Sequence, residues 1–128
     1  MSNPIRTNAA TWAGLFALVA LVILTGACGG GGGAGGGDTA AGHEAFKKTC
    51  AVCHGPNGEG MPKLGKDLHA NEFVTSQSDA ELLKFIVEGR PATHPDNTQG
   101  VDMPPRGGNP ALTDADIQLI ITYMRSLS

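Results

Sequence analysis

Cys50-Ala51-Val52-Cys53-His54 is the stretch on which the reading of this 128-residue chain turns. Two thiols one helical turn apart, with a histidine directly after the second, have the spacing of a c-type haem attachment site. Each thiol can add to one vinyl group of the porphyrin, and the histidine that follows lies under the ring, where its imidazole can bind iron. Two other chemistries use paired cysteines. A thioredoxin-like redox pair wants a preceding strand and a βαβ setting, and a structural zinc site wants a second pair of soft ligands. Neither setting is present, and no cysteine follows Cys53. The expected cofactor is therefore one covalent haem c.

The remaining cysteine, Cys28, ends a stretch with the layout of an export signal. One basic residue, Arg6, precedes an uncharged run from Thr7 to Ala27 whose apolar heart is Trp12 to Leu24, and small residues come just before Cys28. Leu24-Thr25-Gly26-Ala27-Cys28 resembles the lipobox of bacterial lipoproteins, in which cleavage occurs before a cysteine that has received a diacylglycerol; Thr25 stands where that family more often has leucine. Residues 1–27 thus read as a lipoprotein-type signal peptide. Residues 28–37 read as a lipidated Cys28 followed by a tether, since Gly29 to Gly37 contains only glycine and Ala34 and can bury no side chains. An uncleaved helix is the alternative anchor, because the apolar run approaches the roughly 20 residues a membrane span needs. Both readings put the domain on the extracytoplasmic (periplasmic) face of a bacterial membrane.

Residues 38–128 form one small domain whose own hydrophobic core would be marginal, and a large apolar cofactor supplies what the side chains lack. Loss of the signal removes Arg6 from nine basic residues and leaves eight against twelve acidic ones. Nucleic acid is not an expected partner. The fold class is all-α, with three main helices. The first spans about Ala40 to Cys53, with Gly42, Phe46 and Thr49 on one face and the haem motif at its end. The second opens with Ser78 and Glu81, spaced as a capping box, presents Leu82, Phe85 and Ile86, and stops at Gly89. The third starts at Thr113, carries Asp114 and Asp116 in its first turn, and repeats Ile117, Ile120, Ile121 and Met124.

Between the second and third helices, Arg90 to Leu112 is rich in proline and glycine and has no helical period. A loop this long in a compact domain implies a functional role, and a haem face gives it something to fold on. Met103 sits within it, followed by Pro104 and Pro105, which bias the methionine toward extended backbone and stiffen its exit. A rigidly held methionine suits a haem iron bound by histidine and thioether sulfur.

Taken in order, Gly42 and Phe46, the Cys50-to-His54 motif, Pro62-Lys63-Leu64, Met103-Pro104 and the closing helix resemble a class I c-type cytochrome over essentially all of 38–128. That resemblance implies a small cytochrome c fold in which Gly42 lets the first and last helices cross closely and Phe46 packs on Tyr123. It implies thioether roles for Cys50 and Cys53, His54 as proximal and Met103 as distal iron ligand, and a hydrogen bond from His54 to the Pro62 carbonyl, which fixes the ring. Met61 precedes Pro62 and so falls on the proximal side, while Met124 lies on the apolar stripe of the last helix. His43, His69 and His94 read as surface residues, with His94 in the long loop the one rival of substance. Arg90 and Arg106 bracket that loop as candidate propionate partners or plain surface arginines, and Lys47, Lys48, Lys63 and Lys66 flank the motif among Glu59, Asp67 and Glu72.

Histidine and methionine ligation favours ferrous iron relative to two nitrogen ligands and leaves no open position on the metal. The expectation is an electron carrier without bond-making catalysis, working as a tethered shuttle or as a subunit of a respiratory complex. The distal loop resembles the c domains of membrane-bound respiratory chains, among them the monohaem lipoprotein subunit of alternative complex III, a quinol oxidoreductase, and the c domain fused to some terminal oxidases. Expected partners are accordingly a quinol-oxidising complex or a terminal oxidase. The second reading is a haem-based enzyme or gas sensor in which Met103 detaches.

Overall fold

The structure, a computed structural model, describes residues 34–128; the signal segment, Cys28 and the first part of the tether lie outside the described residues. Five helices follow one another: α1 (Ala34–Thr49), α2 (Ala51–His54), α3 (Glu72–Ser76), α4 (Asp79–Glu88) and α5 (Asp114–Arg125). A short turn, Pro105–Gly108, precedes α5. The described residues contain no strand, only two isolated bridges, Met61 with Gly65 and Arg90 with Met103. This is the expected all-α architecture, with α1, α4 and α5 as its main helices. No helix among the described residues is long and apolar enough to cross a membrane.

The packing of α1 on α5 organises the rest. Gly42 is buried at the crossing, and a methyl group in its place would overlap the Leu119 carbonyl and press on Tyr123. One turn on, Phe46 meets Tyr123 with ring centroids 5.2 Å apart, as the family resemblance implies. His43 stacks on the same tyrosine at 4.5 Å and bonds the Pro56 carbonyl through Nε2 at 3.0 Å, which ties α1 to the segment after the haem motif. Ile117, Ile120, Ile121 and Met124 of α5 close the core against Leu82 and Ile86 of α4.

Two helix starts follow their sequence signals closely. Ser78 and Glu81 form the capping box of α4, and Thr113 and Asp116 form one for α5, so Asp116 acts through bonds to Thr113 as well as through the helix dipole. The first helix differs at both ends. It starts at Ala34 rather than near Ala40, so Gly35 to Gly37 are helical, and it breaks at Cys50 before α2 begins. Glycine is the poorer helix former by about 1 kcal/mol per residue relative to alanine, but extending a helix already nucleated by packing avoids the nucleation cost.

The short α3 has no sequence period to announce it. Its start is set by Asn71, whose side chain accepts from the amides of Phe73 and Val74. Its end is held by Arg125 of α5, which donates to the carbonyls of Val74 and Gln77 and pairs with Asp79 at 2.9 Å. One guanidinium thereby joins three helices.

Two outcomes test this account. Gly42→Ala should destabilise the haem-loaded protein by about 1–3 kcal/mol, since overlap with a backbone carbonyl outweighs the gain in helix propensity, whereas Gly37→Ala, with open space around it, should stabilise by up to about 1 kcal/mol; thermal melts of both check this. The Ser78 hydroxyl and amide hold the Glu81 carboxyl below its ordinary range, and the Thr113 hydroxyl and amide do the same to Asp116. Groups lowered in the folded state stabilise fully above the ordinary carboxylate range and lose that contribution as pH falls through the lowered values. Acid titration of the melting temperature should therefore show a smaller loss in a Glu81→Gln, Asp116→Asn double variant than in the parent.

Candidate haem site

The haem motif lies where α1 gives way to α2. The Cys50 amide bonds the Phe46 carbonyl at 2.7 Å, and the amides of Cys53 and His54 bond the Cys50 carbonyl at 3.1 and 3.0 Å, so the helical path continues through the break. Both thiols are free and half-buried. Burial pushes the Cys50 thiol up to about 11, with the neighbouring Cys53 adding to the rise. Reactive redox cysteines show the reverse, a lowered value in an electropositive setting, so Cys50 lacks that feature of a redox thiol. Between them Val52 is 72% exposed.

His54 is fixed by its second ring nitrogen. Nδ1 lies 2.8 Å from the Lys66 carbonyl. A carbonyl only accepts, so Nδ1 carries the proton and Nε2 is left with a lone pair for a metal. The expected acceptor was Pro62, and the structure corrects this. Met61 to Leu64 form a β-turn closed by a 3.1 Å bond from the Leu64 amide to the Met61 carbonyl, with Pro62 exposed at its outer corner and Lys63 in the left-handed region at φ 60°. The chain then returns through Gly65, where any side chain would overlap the Cys53 carbonyl, and this close approach delivers the next carbonyl, that of Lys66, to the imidazole.

Met103 is held by a different device. Its amide and carbonyl exchange hydrogen bonds with Arg90, 2.8 Å in each direction, so the loop begins and ends at one bridge. Gly89 makes room for it: φ is 73° there, and a side chain would strike the Met103 carbonyl and the start of Pro105. Beyond Met103, the Asn109 amide group reaches the Thr49 hydroxyl at 3.4 Å and sets the loop against the end of α1.

Cys50, Cys53, His54 and Met103 all line one cavity of about 420 Å³. Its walls are mostly apolar, with Phe46, Leu68, Phe85 and Ile86 among them, and the volume lies within the range of cofactor pockets. Two thiols for porphyrin vinyl groups, an imidazole with its tautomer set and a thioether sulfur in an apolar cleft fit a covalent haem. When bound, that group supplies a reversible one-electron couple.

The rival residues fall elsewhere. Met61 is exposed and outside the cavity wall, and Met124 is buried in the core stripe of α5 while touching the cavity from that side. His69 bonds Asp67, His94 accepts from the Asp96 amide, and His43 is occupied by Tyr123 and Pro56; none of the three lines the cavity. The two loop arginines also separate. Arg106 is engaged with the Leu112 carbonyl at 2.7 Å and Asp114 at 2.8 Å. Arg90 lies along the cavity wall with its guanidinium 4.9 and 4.6 Å from the ring centres of Phe73 and Phe85. Of the flanking lysines, Lys47 pairs with Glu44 at 2.6 Å and the other three are exposed.

Comparison with known proteins agrees with this site. Residues 39–128 match the cytochrome c family model. The chain is 31% identical over 87 residues to cytochrome c-555 of Chlorobaculum thiosulfatiphilum, covering 68% of this chain and 93% of that one. It is 34% identical over 87 residues to cytochrome c-555 of Chlorobaculum tepidum, covering 68% and 74%. Against the cbb3-type cytochrome c oxidase subunit FixP of Sinorhizobium medicae it is 32% identical over 92 residues, which is 70% of this chain and 30% of that subunit. No solved structure matches. With a family match over most of its length and the attachment motif in the wall of an apolar cleft, the chain belongs to the cytochrome c family, as a class I c-type cytochrome carrying one covalently bound haem c.

Proposed function

We propose that this protein is a one-electron carrier in a membrane-linked respiratory or photosynthetic chain, with Cys50 and Cys53 as thioether residues, His54 as proximal ligand through Nε2 and Met103 as distal ligand. The observation that carries the reading is the convergence of both thiols, the Nδ1-committed His54 and the bridged Met103 on a single apolar cleft. With a haem bound, His54 and Met103 would hold its iron, and a thioether in place of a second nitrogen ligand would raise the potential of the one-electron couple. The chain's own contribution is orientation and exclusion of water. Lys66 sets the imidazole, Gly65 and Gly89 let the backbone close in, and the apolar wall keeps the cleft dry.

The anchor is proposed to be a lipid on Cys28, after removal of residues 1–27, with the domain at the extracytoplasmic face. Two or three acyl chains hold a protein at a membrane stably where one does so only marginally. The near full-length likeness to cytochrome c-555 supports a self-contained carrier, and the partial likeness to an oxidase subunit supports a terminal oxidase as one class of partner. A place in a quinol-oxidising assembly of the alternative complex III type rests on the distal-loop resemblance.

Two experiments test these readings. Reduced protein at neutral pH should not bind carbon monoxide, whereas Met103→Ala should bind it readily and lower the potential by on the order of 100 mV, within the roughly 0.8 V that axial ligands control; Met61→Ala should leave the spectrum unchanged. Ready binding by the unaltered protein would instead favour the enzyme or gas-sensor reading. Cys28→Ser should move the protein from the membrane fraction to the soluble one, and its retention would point to an uncleaved helix.

A further inference from the structure

The loop between Arg90 and Met103 is organised around one side chain. The carboxamide of Asn97 donates from Nδ2 to the carbonyls of Pro91 at 3.1 Å and Val101 at 2.8 Å, and its Oδ1 accepts from the amides of Gln99 and Gly100, both at 3.0 Å. Two donor hydrogens and the two lone pairs of the oxygen are thereby all engaged within the loop. A second clamp lies beside it, where Asp102 accepts from the Ala92 amide at 2.5 Å. The loop ends meet at the Arg90–Met103 bridge. This is the compact, self-packed form of an Ω-loop, and its closing residue carries the sulfur on which the proposed ligation depends.

We propose that Asn97 is the positioning residue for Met103, an inference that rests on the reading of Met103 as distal ligand. Its two donor bonds tie Pro91, next to Arg90, to Val101, two residues before Met103, and so join the two limbs of the loop just behind the bridge. Without them the bridge must hold the loop closed against its chain entropy with only the Asp102 clamp to help. Entropy regained when the loop opens works against the hold of Met103 in either oxidation state, so that hold depends on how firmly the loop presents the sulfur. The neighbouring side chains cannot substitute. His94 bonds within its own turn, and Arg90 lies on Phe73 and Phe85 and reaches the Asp96 carbonyl only at 3.4 Å.

The test uses the haem-loaded protein with Asn97→Ala and with Asn97→Asp, which keeps the shape but sets an acceptor oxygen against the Pro91 and Val101 carbonyls. Carbon monoxide binding by the reduced protein and amide hydrogen exchange are the readouts. Loss of the two donor bonds in Asn97→Asp, and of all four bonds in Asn97→Ala, should raise the ligand-accessible population roughly ten- to hundredfold or more and speed exchange at Ala92, Gln99, Gly100 and Met103, with α5 amides unchanged. If both variants bind carbon monoxide no better than the parent while Met103→Ala binds it freely, the positioning role is overturned and the ligand assignment stands. If Met103→Ala also fails to bind, the ligand assignment itself fails, and this inference with it. Should Asn97→Ala not accumulate, Asn97→Asp and Asp102→Ala carry the same comparison.

Discussion

A small chain cannot keep an apolar cleft of about 420 Å³ without something to fill it. Left open, its apolar wall would stand against water, and each Å² of that wall covered by a bound group is worth about 25 cal/mol. Cofactor and core are therefore one object here. Phe46 and Ile120 belong to the buried cluster and to the cleft wall at once, so the side chains that pack α1 on α5 are also those the cleft presents to a bound group. The covalently bound haem c of the family makes that filling permanent, and Cys50 and Cys53 are the proposed points of attachment. The remaining architecture can then be slight: short helices and turns held by single polar side chains.

The two sides of the cleft are built by different means. On the histidine side, a helical turn carries His54 and a doubled-back loop supplies its acceptor, with Lys63 in the left-handed region as one local cost. On the methionine side no helix carries the sulfur. A backbone bridge, a glycine in the left-handed region and side-chain hydrogen bonds do that work, and Arg106, also left-handed at φ 53°, is held there by Leu112 and Asp114. The imidazole is thus set by one hydrogen bond from a helical turn, and the sulfur's segment by a loop closed on itself.

What could be read from the chain was whatever depends on local pattern. The motif, the caps at Ser78 and Thr113 and the stripe of α5 follow from neighbours within one or two turns, and they stand where the sequence put them. The Gly42 crossing came from family likeness, since no local rule tells which backbone a glycine will meet. Features that depend on distant partners were missed. Arg125 satisfies carbonyls about fifty positions away, α3 is too short to show a period, and the His54 acceptor moved from Pro62 to Lys66 because a β-turn decided which carbonyl came round. Asn97 sat in plain view, but an asparagine in a polar loop has no signature until its four partners are known.

Gly65 and Gly89 stand on separate segments yet do the same thing: each brings bare backbone against a carbonyl of a residue in the cleft wall, Cys53 in one case and Met103 in the other. The gauge of the cleft is thus set by main chain against main chain. Lining side chains outside the shared core, such as Val52, Thr98 and Gln99, can change without moving those main-chain contacts. A frame of that kind leaves the part of the lining outside the core open to mutational drift while the spacing of the two segments is kept by backbone.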